Sequence, residues 1–152
     1  MRRLNLKDRI AEYPDFPSKG ILFRDVSPLL SDSMVFSFVI DEFVKLLNPY
    51  NPEVLVAIDS RGFIFGAPIA IQTGLPLVMM RKEGKLPGKV TSVTYGLEYG
   101  TDTLEVQNDI LKDGKKVAII DDVLATGGTL AAARELIEKM DSYPVCAALV
   151  IE

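Results

Sequence analysis

The chain has 152 residues, 48% apolar and 25% charged, with a net charge of −4. That composition fits one domain with a real core and excludes a disordered chain and a general nucleic-acid footprint; no apolar run approaches the roughly eighteen residues of a membrane span. There is no histidine, so His-based triads, His-ligated metals and imidazole bases are excluded, and acid–base chemistry falls to a carboxylate, a lysine, a tyrosine or the substrate.

The opening MRRLNLKDRI carries two arginines with no apolar stretch behind them, so it does not read as a secretory signal. Residues 4–13 read as a short helix that stops before Pro14. Residues 13–30, YPDFPSKGILFRDVSPLL, hold three prolines and a glycine and read as an extended, turn-rich connection. From Ser31 or Asp32 as N-cap, MVFSFVIDEFVKLL keeps a broad apolar helical face until Pro49. A strand is expected at 54–58, VLVAI, followed by a polar corner, DSRG, at 59–62. An apolar helix rich in small residues then runs to Gly74, and 76–80, PLVMM, is a second strand. A second unit at 117–151 repeats the order strand, loop, helix, strand. The alternation predicts an α/β fold with a mostly parallel sheet flanked by helices. Between the two units, VTSVTY and TLEVQ have β character and read as a hairpin in a glycine-rich stretch, within about 81–107, with a mobile tip. A connection this long inside a small domain is usually functional or disordered. The single Cys146 rules out an internal disulfide, its neighbours suggest an inert core thiol, and a reducing cytoplasm is the default.

The segment 117–129, VAIIDDVLATGGT, carries the chemistry. Ligands of parallel α/β sheets bind at the carboxyl ends of strands, where Asp121 and Asp122 fall. The backbone amides from Ala125 to Thr129 can point at one phosphate, the Thr126 and Thr129 hydroxyls add donors, and Gly127 and Gly128 allow close approach. The loop lacks both GK[ST] and GxGxxG. Two carboxylates at the mouth of a phosphate cradle call for a ligand with hydroxyls beside its phosphate, since carboxylates accept from vicinal diols. The string therefore reads as a ribose 5-phosphate site: phosphate in the loop, sugar hydroxyls on the aspartates. The bland alternative is a strand end with two solvated carboxylates and a tight turn.

These thirteen residues closely resemble the phosphoribosyl-diphosphate signature of the type I phosphoribosyltransferases. Three further strings, at 13–30, DSRGFIFGAPIA at 59–70, and RKEGKLPG with YGLEYGTDTLEVQ within 81–107, resemble the adenine phosphoribosyltransferase branch, in the expected order and over most of the chain.

The resemblance implies one phosphoribosyltransferase domain over 1–152, with an N-terminal hood over the base at about 1–30 and a flexible hairpin lid. It implies transfer of phosphoribosyl from phosphoribosyl diphosphate to adenine, giving AMP and pyrophosphate in purine salvage. Mg²⁺ would be held mainly by the substrate with no direct protein ligand, and the enzyme would be a cytoplasmic homodimer with no nucleic-acid or membrane partner. Asp59, Ser60 and Arg61, the first two joined by a cis peptide, would bind the diphosphate with Arg81, Lys82, Lys85 and Tyr99. Glu98 would accept the proton of the purine nitrogen. Leu22, Phe23 and Arg24 would meet adenine, Phe23 by stacking and its neighbours through backbone groups. Without the resemblance, Phe23 reads as core packing and the basic cluster as a solvated loop about equally well. The rival readings are a phosphoribosyltransferase for another nucleobase and a non-catalytic sensor of phosphoribosyl diphosphate.

Overall fold

Ala11–Pro14 and Leu22–Asp25 form an antiparallel pair, β1 and β2, with Tyr13 opposite Phe23 and Glu12 opposite Arg24. They belong to the first of two units, Met1–Glu42 and Phe43–Glu152, of the computed structural model, which describes residues 4–97, 99–111 and 114–152. The helix expected at 4–13 is replaced by a four-residue 3-10 turn, Leu6–Arg9, followed by β1. A helix so short is marginal on its own, and pairing with β2 gives its last residues a ladder of hydrogen bonds instead. The connection between the strands turns through Asp15 at φ 58° and Gly20 at φ 87°, and the Gly20 amide donates to Asp15 Oδ1 at 2.7 Å. The stretch expected to be extended thus contains β2 and a one-turn helix, α1 (Ser27–Leu30), whose Ser27 amide donates to Asp25 Oδ1 at 2.9 Å.

Helix α2 (Ser33–Leu47) starts where the cap chemistry puts it. Asp32 Oδ1 accepts from the amides of Met34 at 3.1 Å and Val35 at 3.2 Å, satisfying two first-turn donors. Val35, Val39, Ile40, Phe43 and Leu47 are buried at helical spacing. A 3-10 turn containing Pro49 ends the run.

In the second unit β3 (Val54–Ile58) is buried at every position, the pattern of a strand covered on both faces. Helix α3 (Gly62–Thr73) follows and ends at Gly74, whose φ of 71° favours glycine. Then come β4 (Leu77–Lys82), β5 (Val90–Gly96), β6 (Thr101–Gln107), β7 (Lys116–Ile120), α4 (Gly128–Lys139) and β8 (Tyr143–Ala148). The sheet order is β5-β6-β4-β3-β7-β8. β3 pairs parallel with β4 and β7, and β7 with β8, while β6 is antiparallel to both β4 and β5. The sheet is mixed: a parallel centre extended on one side by a hairpin that is part of the same sheet.

Side chains alternate across that sheet. Val54, Val56 and Ile58 of β3 join Val117 and Ile119 of β7 and Ala132, Ala133, Leu136 and Ile137 of α4 in one core cluster. On the other face Gly66 of α3 closes on Ala57, where an added Cβ would stand 2.8 Å from the Ala57 Cβ. The two helices thus cover opposite faces, and each fully buried Leu or Ile contributes on the order of 1.5–3 kcal/mol. Cys146 is half-buried on β8, where burial pushes its thiol pKa up. No helix is long and apolar enough to cross a membrane among the described residues.

Candidate active site

Parallel pairing brings the carboxyl ends of β4, β3 and β7 side by side, so the residues just beyond them meet although far apart in sequence. Beyond β3 lie Asp59, Ser60 and Arg61, and the Asp59–Ser60 peptide is cis, as the resemblance implied. The last residues of β4 are Arg81 and Lys82, with Lys85 three residues on. Beyond β7 come Asp121, Asp122 and the loop into α4.

The cations expected to meet a diphosphate are each engaged by a protein carboxylate. Asp59 Oδ2 accepts from Arg81 Nε at 3.3 Å, Lys85 Nζ at 3.2 Å and the Lys82 amide at 3.5 Å. Burial would raise the Asp59 pKa, but these donors and the Lys85 and Arg81 charges outweigh it and hold the carboxyl below its ordinary value. The Arg81 guanidinium also lies 5.8 Å from the Phe63 ring centroid, a cation–π distance. Arg61 Nε stands 2.7 Å from Asp122 Oδ2, an ion-pair distance. Asp122 Oδ2 therefore has a charge partner, and no described residue hydrogen-bonds it.

Asp121 and Asp122 share one corner, and the Asp122 amide donates to Asp121 Oδ1 at 2.8 Å. Burial, reinforced by the Asp122 charge, pushes the Asp121 pKa up to about 7. Gly62 makes this corner possible: a Cβ there would lie 2.8 Å from the Ile120 carbonyl oxygen and 3.2 Å from Asp121 Oδ1.

The loop beyond Asp122 leads into α4, which begins at Gly128, inside the glycine pair. Gly127 is the N-cap residue at φ 84° and has no side chain of its own to bond the first-turn amides, the kind of helix start that favours an anion. Thr126 Oγ1 accepts weakly from the Gly128 amide at 3.4 Å. Ala125 and Thr126 are exposed, whereas Gly127, Gly128 and Thr129 are half-buried.

Lys82 points to the hairpin base. Its Nζ donates to Tyr95 Oη at 2.8 Å and pairs with Asp102 Oδ2, and Thr129 Oγ1 donates to the same Tyr95 oxygen at 3.3 Å. Tyr95, Asp102 and Gly62 were not singled out from sequence. The period-2 pattern of VTSVTY, which puts Tyr95 on the same face as buried Val93, was the available signal for the first. Tyr99 is 86% exposed near the hairpin turn. Glu98 lies outside the described residues.

In the first unit Leu22 is exposed and Phe23 half-buried, with the Phe16 ring edge-on to Phe23 at 5.2 Å between centroids. Arg24 Nε meets Glu12 Oε1 across the ladder at 3.5 Å.

A family model described as a phosphoribosyl transferase domain matches residues 36–152. The adenine phosphoribosyltransferase of Nitrosopumilus maritimus (strain SCM1) is 50% identical over 149 residues, 98% of this chain and 88% of that protein. A crystal structure of adenine phosphoribosyltransferase from Saccharomyces cerevisiae, complexed with an imino-altritol bisphosphate and adenine, superposes with a TM-score of 0.92 at 40% identity, covering 97% of this chain and 86% of that one. The enzyme from Trypanosoma brucei, in complex with AMP, pyrophosphate and ribose-5-phosphate, superposes with a TM-score of 0.86 at 26% identity, covering 95% of this chain and 64% of that one.

Proposed function

The chain belongs to the phosphoribosyltransferase family, on its adenine branch, and from that premise we propose how its residues divide the work. The reaction joins adenine to phosphoribosyl diphosphate, giving AMP and pyrophosphate, a step of purine salvage. The bond from the sugar carbon to the diphosphate breaks with its electrons leaving on pyrophosphate, while a purine nitrogen bonds to that carbon and sheds its proton.

The observation that carries the assignment of roles is the meeting of a capless helix N-terminus, two carboxylates and a set of paired cations at neighbouring strand ends. The amides and hydroxyls from Ala125 to Thr129 take the 5-phosphate, and Asp121 and Asp122 take the ribose hydroxyls. The Asp59–Ser60 peptide, Arg61, Arg81, Lys82, Lys85 and Tyr99 serve the diphosphate. Leu22, Phe23 and Arg24 serve adenine, whose amino group donates where an oxo group would accept, so backbone carbonyls select against 6-oxopurines. Glu98 accepts the departing proton. The hairpin stretch at about 81–107 acts as the lid, excluding water from an oxocarbenium-like sugar.

Mg²⁺ fits this donor set as a substrate-held ion. It takes hard oxygens, usually one or two carboxylates with substrate phosphates, and Asp122 is already engaged with Arg61. Bound with the diphosphate, the ion neutralises charge on the leaving group. A homodimer is supported by α3, which presents Ile71 at 87% and Ile64 at 39% exposure on its outer side. The lone thiol of Cys146 suits a reducing cytoplasm.

The test is a turnover assay with phosphoribosyl diphosphate, Mg²⁺ and each of adenine, hypoxanthine, guanine and orotate. AMP from adenine with the other bases unused is expected. Turnover of a 6-oxo base overturns the selectivity, and binding of phosphoribosyl diphosphate without turnover of any base overturns the enzyme reading.

A further inference from the structure

Four elements converge on one phenol oxygen. Lys82 ends β4, Tyr95 is on β5, Asp102 on β6, and Thr129 in the first turn of α4. Tyr95 Oη accepts from Lys82 Nζ at 2.8 Å and from Thr129 Oγ1 at 3.3 Å, and lies 3.4 Å from Asp102 Oδ2, to which it donates. A phenol hydroxyl has one proton to give and two lone pairs to share, so these three contacts use its whole capacity. Lys82 also ion-pairs with Asp102, and its ammonium lies 5.5 Å from the Tyr95 ring centroid. The backbone is close as well: a Cβ at Gly128 would stand 3.4 Å from both the Gly96 carbonyl oxygen and the Tyr95 ring. Asp102 and the Tyr95 contact hold the Lys82 pKa above its ordinary value against the effect of burial, and Lys82 holds Asp102 below its own, so this cluster stays charged at neutral pH.

We propose that Tyr95 is a positioning residue that ties the Lys82 ammonium to the Thr129 hydroxyl, so that the base of the hairpin holds the cation for one anionic end of the ligand and the phosphate loop for the other as one unit. Its consequence is selectivity for a sugar phosphate with anionic groups at both ends. The assignment of Lys82 to diphosphate and Thr129 to the 5-phosphate rests on the functional reading above; the bridge between them is set by the contacts. Tyr95 touches no reacting atom in this account. It acts through its two donors.

The experiment is a double-mutant cycle read by calorimetric titration of phosphoribosyl diphosphate with Mg²⁺, and of ribose 5-phosphate, into the wild type, Tyr95→Phe, Thr129→Val and the double variant. Tyr95→Phe keeps the ring and removes only the oxygen. It should weaken phosphoribosyl-diphosphate binding about tenfold and ribose 5-phosphate binding much less, since a hydrogen bond to a charged group is the one lost. The double variant should lose less than the product of the single losses. In turnover, KM for phosphoribosyl diphosphate should rise while kcat changes less than about twofold. Thr129→Ser, which keeps a hydroxyl, should bind phosphoribosyl diphosphate like the wild type where Thr129→Val does not, a comparison that stands even if Tyr95→Phe does not fold. Multiplicative losses, equal losses for both ligands, or a Thr129→Ser protein as weak as Thr129→Val overturn the proposal. If the wild type binds phosphoribosyl diphosphate but makes no AMP, the enzyme reading falls and the cycle still reports on Tyr95. If it binds neither ligand, both fall.

Discussion

Arg61, beyond β3, and Asp122, beyond β7, form an ion pair across the two strand ends: 2.7 Å from Nε to Oδ2, with the arginine side chain 38% exposed and the aspartate side chain 6%. The carboxylate is shielded from solvent while the cation beside it is partly open to it. The same guanidinium is assigned to the diphosphate, so sugar and leaving-group sites share a charged residue, and changes on either side should be felt on the other.

Arg61→Ala leaves a shielded carboxylate without this partner. The expected loss is about 1–3 kcal/mol, taken below the range for fully buried pairs because the arginine is partly exposed. Asp122→Asn should cost less stability and weaken phosphoribosyl-diphosphate binding about tenfold. Urea midpoints and titrations measure both, and unchanged binding in Asp122→Asn would remove that residue from the ribose site.

Asp121 makes a pH prediction. Burial, then the Asp122 charge, puts it at about 7 in the fold, against about 3.9 in an unfolded chain. Between those values the folded protein holds a proton that the unfolded chain has released. The associated stability is therefore complete below about pH 4 and lost as the pH rises through about 7. Asp121→Asn retains an oxygen for the Asp122 amide and lacks this loss. Relative to wild type it should gain stability from about pH 4 to about pH 7, by at most about 4 kcal/mol, and the difference should level off above that. A difference that stays flat across that range contradicts the shift.

Gly62→Ala tests the corner sterically. The new Cβ would meet a backbone carbonyl at 2.8 Å, which has no rotamer by which to yield. Destabilisation of about 1–3 kcal/mol is expected, as for overpacking, together with weaker ribose binding because Asp121 must move. Gly74→Ala is the control: φ is strained but open space surrounds it, so stability should fall with ligand affinity intact.

Glu98→Ala should lower kcat by about a hundredfold or more with little change in phosphoribosyl-diphosphate affinity, as expected for a group that takes a proton only during reaction. Equal kinetics for the two proteins would take Glu98 out of the chemistry.

Elements governed by local rules were legible. VLVAI is a strand because β-branched and apolar residues run between turn signals, α2 starts at Asp32 because that side chain caps it, and α3 stops at Gly74 because its backbone needs φ above zero. The acid pair and glycine loop beyond β7 were legible for the same reason, as one contiguous string. The segment 4–13 was misread because its residues satisfy a helical spacing too short to sustain a helix, and the decision passed to the partner strand Leu22–Asp25, which pairs Ala11 with Asp25 and Tyr13 with Phe23.

The sequence by itself determined the parts: strand, loop and helix at 117–139, the cations at 81–85, and the corner at 59–62. Only the tertiary structure decided their pairing. Asp59 takes Arg81 and Lys85 because β3 and β4 run parallel in the register that aligns Ile58 with Met80. Lys82 reaches Tyr95 and Asp102 because β6 joins β4 antiparallel and β5 follows β6, and Thr129 reaches the same oxygen because α4 lies against β5. A slip of one residue in either ladder would turn these side chains to the opposite face. Register and strand order arise from burying every face of the sheet at once, and no local stretch of chain contains that information.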